Sequence, residues 1–291
     1  DNDYIRGRWT HSTKTINLTT RFDVVSFRCK RKREDGTVSA DLAGKRCLIV
    51  GASSGIGAAV ATHFGALGVD LVVHCNDNRD GADAVAEVIR RAGGKAQVLQ
   101  ANVAENEAAA SIVDDAATLL GGLDILINNA GSMFGRTSIA DATDEQYESV
   151  ISLNIGGVFF ASRKAAQLMR AQRSGTIINT TSVAARTGGG DGAGLYGSAK
   201  GFVSTITRVL AKELAPVGVR VNAVAPGVIM TPFHERYSTP AQLEAAARGI
   251  PMGRLGTAEE CVGAYEFLAS ARMSGYITGQ VIEVNGGQLM P

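Results

Sequence analysis

Cys47-Leu-Ile-Val-Gly-Ala-Ser-Ser-Gly-Ile-Gly57 is the stretch on which the fold turns. Its first four residues form an unbroken apolar run that stops at Gly51, the pattern of a strand covered on both faces. From Ile56 to Leu67 the spacing becomes helical. Between strand and helix stand Gly51, Ala52, Ser53, Ser54 and Gly55, with Gly57 two residues further on. Small residues let backbone N–H groups approach a pyrophosphate, and the start of a helix offers it partial positive charge. A glycine cluster by itself is a common turn. One that follows a strand and opens a helix meets the structural condition for a dinucleotide site.

Further along the chain the alternation repeats. Strands are predicted at Val69–Cys75, Ala96–Gln100, Leu123–Ile127, Thr176–Asn179, Val219–Val224 and Gln280–Val284. Helices are predicted at Ala82–Arg91, Glu105–Leu120, a long Asp144–Gln172, Tyr196–Leu214 and Ala258–Ala269. Strands that alternate strictly with helices imply βαβ crossovers, so the expected class is α/β: a single doubly wound parallel sheet with helices on both faces. No internal repeat, low-complexity segment or linker interrupts 41–291, which reads as one domain.

Composition supports this. The chain has 291 residues, 45% apolar, with 35 glycines and few aromatics. The net charge of +1 hides an asymmetry. Residues 1–40 carry nine Lys/Arg and five acids, leaving 20 basic and 23 acidic residues for the rest, so the first segment is +4 and the body −3. A mildly acidic body argues against nucleic-acid binding. The run Lys30-Arg31-Lys32-Arg33 is either a polyanion-binding patch or part of a solvated, disordered leader, and the leader reading is preferred for residues 1–40. The four cysteines, Cys29, Cys47, Cys75 and Cys261, show no metal-ligand spacing, so no metal is expected. Cys47 and Cys75 fall in predicted buried strands, which fits a reducing, cytoplasmic setting. No stretch approaches the ~18 apolar residues of a membrane span.

Tyr196-Gly-Ser-Ala-Lys200 puts a phenol and an ammonium at i and i+4, on one face of a helix. A lysine charge there favours phenolate and is expected to lower the tyrosine pKa, suiting it to exchange a proton with an alcohol or carbonyl. An isolated pair of this spacing is commonplace; its companions give it weight. Asn128-Asn-Ala-Gly131 closes the fourth strand, Ser182 follows the strand at Thr176, and Pro226-Gly-Val-Ile-Met-Thr231 follows the strand at Val219. Together with the spacing G-x-x-x-G-x-G at Gly51–Gly57, these motifs resemble the short-chain dehydrogenase/reductase family. The resemblance spans about residues 41–290.

The resemblance implies an NAD(P)-dependent oxidoreductase that moves a hydride between nicotinamide and a carbonyl or secondary alcohol. It assigns proton exchange to Tyr196, tuning of Tyr196 and ribose binding to Lys200, orientation of the reacting oxygen to Ser182, and a relay water to Asn154. For the cofactor it implies Gly51, Ser53, Ser54, Gly55, Ile56 and Gly57 at the pyrophosphate, and Asn102 and Val103 at adenine. Asn129, Ala130 and Gly131 would line its middle, and Pro226, Gly227, Val228 and Thr231 the nicotinamide. Val50 stands where the family usually has Thr, Asn102 where it has Asp, and Asn285 where Asp is frequent. An acid at the end of the second strand would repel a 2′-phosphate. The chain instead has His74-Cys75-Asn76, with no acid until Asp77; Ser53, Ser54, His74 and Asn76 are read as compatible with that phosphate, so NADP is favoured over NAD.

Within the enzyme class a 3-oxoacyl-carrier-protein-reductase-like ketoreductase is the first reading, with Arg170 and Arg173 available to an acidic carrier. A sugar or polyol dehydrogenase is the alternative, suited by the polar loop 188–194 and by His234 and Arg236. A non-catalytic dinucleotide-binding protein should lack one of the four catalytic residues, and all four are present. A homotetramer, packed through the long helices and the last strand, is the expected assembly from the resemblance.

Overall fold

The computed structural model describes residues 40–291. Apart from Ala40, the leader expected at residues 1–40 lies outside the described residues. Among these, seven strands form a parallel sheet in the order β3-β2-β1-β4-β5-β6-β9. They are β1 (Arg46–Val50), β2 (Asp70–Cys75), β3 (Lys95–Gln100), β4 (Ile125–Asn128), β5 (Gly175–Thr180), β6 (Val219–Pro226) and β9 (Val281–Val284). Two short strands, β7 (Ile229–Met230) and β8 (Gly256–Thr257), pair separately. The expected class, a doubly wound sheet, is the observed one.

The central strands read as continuous apolar runs because both sheet faces are covered. Alternate side chains of β1 separate cleanly. Cys47 and Ile49 enter a core with α1 (Gly55–Ala66), α2 (Arg79–Arg91) and α10 (Ala258–Ala269). Leu48 and Val50 enter the opposite core with α3 (Asn106–Leu120), α5 (Val158–Gln172) and α7 (Gly194–Leu214). At the sheet edge β3 becomes polar, with Lys95, Gln97 and Gln100 exposed or partly so.

The strand order reverses at β1, between β2 and β4, and at such a switch point ligands sit beyond the carboxyl ends of the strands. Register fixes what meets there: Val50 pairs with Asn128, and Asn128 with Asn179. Gly51 and Asn129 therefore leave the sheet side by side.

Two departures from the expected elements bear on function. The long helix predicted over Asp144–Gln172 is α4 (Asp144–Ile151) and α5, joined by a π-helical segment at Ser152–Gly157. The region after β6 also holds helices that were not foreseen: α8 (Pro232–Tyr237) and α9 (Pro240–Gly249), with α6 (Ala184–Thr187) after β5 and α11 (Ala271–Ser274) before β9. Thr239 starts α9 with a reciprocal capping box to Gln242. The three described cysteines, Cys47, Cys75 and Cys261, are buried and unpaired. Among the described residues no helix is long and apolar enough to cross a membrane.

Candidate active site

A cavity of about 1000 Å³ opens along the carboxyl ends of the strands. Ser53, Ser54, Gly55 and Ile56 line it with Gly51, as do Asn102, Val103, Asn129, Ala130 and Gly131. So do Ser182, Tyr196 and Lys200, and the segment Pro226, Gly227, Val228 and Thr231. His74 and Asn76 complete the set at the β2 end. Of the residues assigned from sequence to catalysis or cofactor binding, Gly57 and Asn154 do not line the cavity, and their geometry explains why they matter.

A Cβ on Gly57 would lie 2.1 Å from Gly51 O and 2.6 Å from Asn129 Nδ2. Gly57 thus lets α1 pack onto the loop, while the Asn129 amide donates to Gly51 O at 2.6 Å. Gly51 itself has φ of +81°, and a Cβ there would meet Ala130 at 2.7 Å. A β-carbon at either glycine would push the two strand-end loops apart. Gly55 faces the Thr231 side chain, which a Cβ would meet at 3.2 Å.

These residues fit a dinucleotide. The α1 hydrogen-bond ladder begins with Ala58 N donating to Ser54 O at 3.3 Å, and the Ser54 side chain makes no capping bond. The first-turn N–H groups are left for an anion at the cavity wall, as pyrophosphate binding requires. The cradle is made of backbone that glycine alone permits.

His74 needs a correction. Its side chain is 1% exposed, with Nδ1 accepting from Gly51 N at 3.0 Å and Nε2 within 3.0 Å of Ala101 O. Nδ1 is the acceptor, so the proton sits on Nε2 and both ring nitrogens are used inside the protein. Burial lowers its pKa, leaving a neutral ring that braces the glycine loop and has no donor for a 2′-phosphate. Asn76 is exposed at the cavity rim. Arg79 is bound to Asp83 at 2.8 Å. Asn78, missed in the sequence, caps α2 and donates to Ser53 O at 3.3 Å, joining the β2 end to the glycine loop. At Asn102 the side-chain oxygen accepts from Ala104 N at 3.1 Å and the amide donates to Glu105.

At the other end the four candidate catalytic residues converge. Ser182 lies just beyond β5; its Oγ accepts from Ala184 N at 3.1 Å, and its side chain acts to lower the pKa of the neighbouring Tyr196. Lys200 is 2% exposed and donates from Nζ to Thr180 O at 2.9 Å. Nζ stands 5.6 Å from the Tyr196 ring centroid. Asn154 is fully buried in the π segment, and its Nδ2 donates to Ser132 O at 2.8 Å and Val150 O at 2.9 Å. A Cβ on Gly131 would fall 2.9 Å from Asn154 Oδ1 and 3.0 Å from Lys200 Nζ, so Gly131 is the gap at which helix and lysine meet. π segments recur at functional sites.

The expectation that Lys200 lowers the Tyr196 pKa is not met in the protein alone. Tyr196 is partly exposed at the cavity, and burial pushes its pKa up against the lowering effect of Ser182. Burial likewise brings Lys200 down to about 8. Desolvation dominates both groups, and the Lys200 ammonium is turned to the Thr180 carbonyl.

Sequence reasoning drew His234 and Arg236 from the segment after Thr231 and missed the aromatic residues there that face Tyr196. The Phe233 ring of α8 lies 5.5 Å from Tyr196 and 5.2 Å from Tyr237. Tyr237 OH is 2.6 Å from Ser132 Oγ. Ser132 directly follows the Asn-Asn-Ala-Gly motif, and Phe233 and Tyr237 are an i, i+4 aromatic pair; those were the available signals. His234 lines the cavity half-buried, its pKa brought down to about 4 by burial and by the Arg136 charge, whereas Arg236 is exposed at the rim. Arg170 and Arg173 are exposed on the surface, at the end of α5 and away from the cavity lining.

Comparison with known proteins follows the same lines. A family model described as enoyl-(acyl carrier protein) reductase matches residues 51–288. A 3-oxoacyl-[acyl-carrier-protein] reductase of Synechocystis sp. is 39% identical over 249 residues, 86% of this chain and 98% of that one. The 3beta-hydroxysteroid dehydrogenase 1 of Eggerthella lenta is 37% identical over 256 residues, 86% of this chain and 95% of that one. Among solved structures, the NADH-dependent reductase A1-R′ responsible for alginate metabolism superposes with a TM-score of 0.79 at 35% identity, covering 87% of this chain and all of that one.

Proposed function

The chain belongs to the short-chain dehydrogenase/reductase family and is an NAD(P)-dependent oxidoreductase of carbonyl and alcohol groups, and on that footing we propose a ketoreductase of 3-oxoacyl thioesters that prefers NADPH. The observation that carries the chemistry is the meeting of Ser182, Tyr196 and Lys200 at one end of the cavity, with Asn154 buried beside Lys200 at Gly131.

A bound nicotinamide supplies the hydride in reduction and receives it in oxidation. The chain does the rest. Ser182 and the Tyr196 hydroxyl hold the substrate oxygen, and Tyr196, a neutral phenol near pH 7, hands it a proton as negative charge develops there. Lys200, protonated below about pH 8, stabilises the phenolate left behind. Asn154 fixes the backbone around Ser132 and Val150, from which a water chain can return the proton. The glycine loop, the Asn129 segment and Pro226–Thr231 hold the cofactor. The Pro226–Gly227 turn is close-packed on Asn285, where a Cβ on Gly227 would reach 2.7 Å.

Preference for NADPH rests on the β2 end, where neutral Ser53, Asn76 and Asn78 line the cavity and the β2 strand itself ends without an acid, Asp77 lining the cavity one residue after Asn76. The thioester reading draws on the similarity to 3-oxoacyl-carrier-protein reductases. We place the protein in a reducing, cytoplasmic compartment, in keeping with its unpaired cysteines, and in a homotetramer. For the latter α5 offers Phe159 and Phe160 beneath Arg163, whose guanidinium is 4.7 Å from the Phe160 ring.

Absorbance at 340 nm, followed with NADPH and with NADH over 3-oxoacyl thioesters, 3-ketosteroids, sugars and polyols, tests this. Turnover of the thioesters with NADPH is expected. Turnover confined to sugars or polyols would replace the substrate assignment, and tight cofactor binding without turnover on any class would remove the catalytic reading.

A further inference from the structure

Two segments far apart in sequence cover the Tyr196 end of the cavity: the glycine-rich loop 188–194 and helix α8 with its continuation to Ser238. Both are tied to one side chain. Arg136 donates from Nε to Tyr237 O, from one terminal nitrogen to Asp191 O at 2.8 Å and from the other to Ser238 Oγ at 3.3 Å. Its own backbone neighbour joins in, with Thr137 N donating to Gly192 O at 3.1 Å. Gly192 has φ of +71°, and a Cβ there would strike Arg136 Cβ at 2.9 Å, so the loop is seated directly on the arginine stem.

Arg136 is half-buried and, among the described residues, has no carboxylate partner; its charge is met only by neutral oxygens. A planar fork with five N–H donors can reach acceptors on both sides at once, which a lysine ammonium cannot. What it holds matters at the reacting end. Fixing the Tyr237 carbonyl sets the Tyr237 ring against Phe233, and Phe233 against Tyr196.

We propose that Arg136 is a positioning residue: it clasps loop 188–194 and α8 together into one preformed wall, against which the carbonyl substrate is held for Tyr196. Arg136 lines the cavity, but its three guanidinium nitrogens are turned to Tyr237 O, Asp191 O and Ser238 Oγ. The clasp rests on the ketoreductase reading for its kinetic consequence, but not for its structural one.

Hydrogen exchange read by mass spectrometry on the full chain tests the structural part without any substrate. In Arg136→Met, amides of 188–194 and of 232–239 are expected to exchange together, by about tenfold faster, as local opening becomes easier. Exchange in β1, α1 and α7 should stay as in the unaltered protein. Kinetically, KM for acetoacetyl thioester should rise about tenfold with kcat within about threefold, and the NADPH dissociation constant should stay within about twofold. Arg136→Lys, which keeps charge and stem, should behave like Arg136→Met. Free guanidinium at tens of millimolar should reverse the KM rise in Arg136→Ala.

The clasp is overturned if only one segment loosens, if neither does, or if exchange rises throughout the chain. Full rescue by Arg136→Lys overturns it as well, since charge alone would then suffice. If both segments loosen together while the unaltered protein reduces no carbonyl compound, the clasp stands and the ketoreductase reading is what fails.

Discussion

The two ends of the cavity are built from different materials. The cofactor end, around Gly51, Gly55, Gly57 and Asn129, is made of backbone in close approach. The substrate end, around Tyr196, Phe233, Tyr237 and Arg136, is made of side chains that hold one another. Backbone contact demands particular residue types: a Cβ on Gly57 would sit 2.1 Å from a carbonyl oxygen. Side-chain contact accepts many solutions, and its partners are often carbonyls that any residue could supply. The first end should therefore fail sharply on minimal substitutions, and the second should fail in proportion to the chemistry removed.

The largest effect belongs to the reacting atom. Tyr196→Phe keeps the ring and its packing on Phe233 but removes the proton, and kcat should fall by ~10³, within the range of lost general acid catalysis. A single-turnover assay at saturating NADPH checks it; an unchanged rate would remove Tyr196 from the mechanism.

Lys200→Met separates function from stability. Activity should fall by about 10²-fold or more. Stability should move the other way. The lysine pKa is brought from 10.5 to about 8 by burial, so below pH 8 the folded state binds a proton more weakly than the unfolded chain does. That depression costs about 3 kcal/mol of folding stability, fully felt below pH 8 and relieved as pH rises from 8 to 10.5. Urea titration should show Lys200→Met more stable than the unaltered protein by roughly 1–3 kcal/mol at pH 7, with the gain narrowing at pH 10. Equal stability at both pH values would show that Lys200 is not under this strain.

At the cofactor end one methyl group should suffice. Gly57→Ala is expected to weaken NADPH binding about 100-fold and to lower thermal stability, because the glycine loop and Asn129 must separate. Fluorescence titration gives the affinity; if binding is retained, the close approach is not needed. The smallest effect concerns choice of cofactor. Asn76→Asp places a carboxylate at the rim and should raise KM for NADPH about tenfold while leaving NADH within about twofold. Equal changes for both would move the 2′-phosphate site elsewhere.

This contrast also governs what could be read from the sequence. The sheet was legible because β1, β2, β4, β5 and β6 each carry a short apolar stretch, and the cofactor end because glycine identity is itself the geometry. Tyr196, Lys200 and Ser182 were legible as motif and do meet in space. His74 was misread because nothing in a sequence shows that a strand-end imidazole turns back onto Gly51 N. The role of Arg136 left no trace, since two of its three acceptors are main-chain oxygens. The Tyr196–Lys200 coupling was misjudged because spacing reports proximity and is silent on desolvation, which dominates both groups.

The π segment at Ser152–Gly157 makes chain length itself part of the site. Its wider turn accommodates an extra residue without breaking the helix, so α4 and α5 run on with their faces out of step. Each residue in an α-helix advances by about 100°. Removing a single residue between Ser152 and Gly157 would close the turn into an ordinary helix and swing one side by that angle, carrying Asn154 away from Gly131 or stripping Val158 and Ala161 from the core. Here the helix keeps count: it can exchange residues one for one, but it cannot lose one.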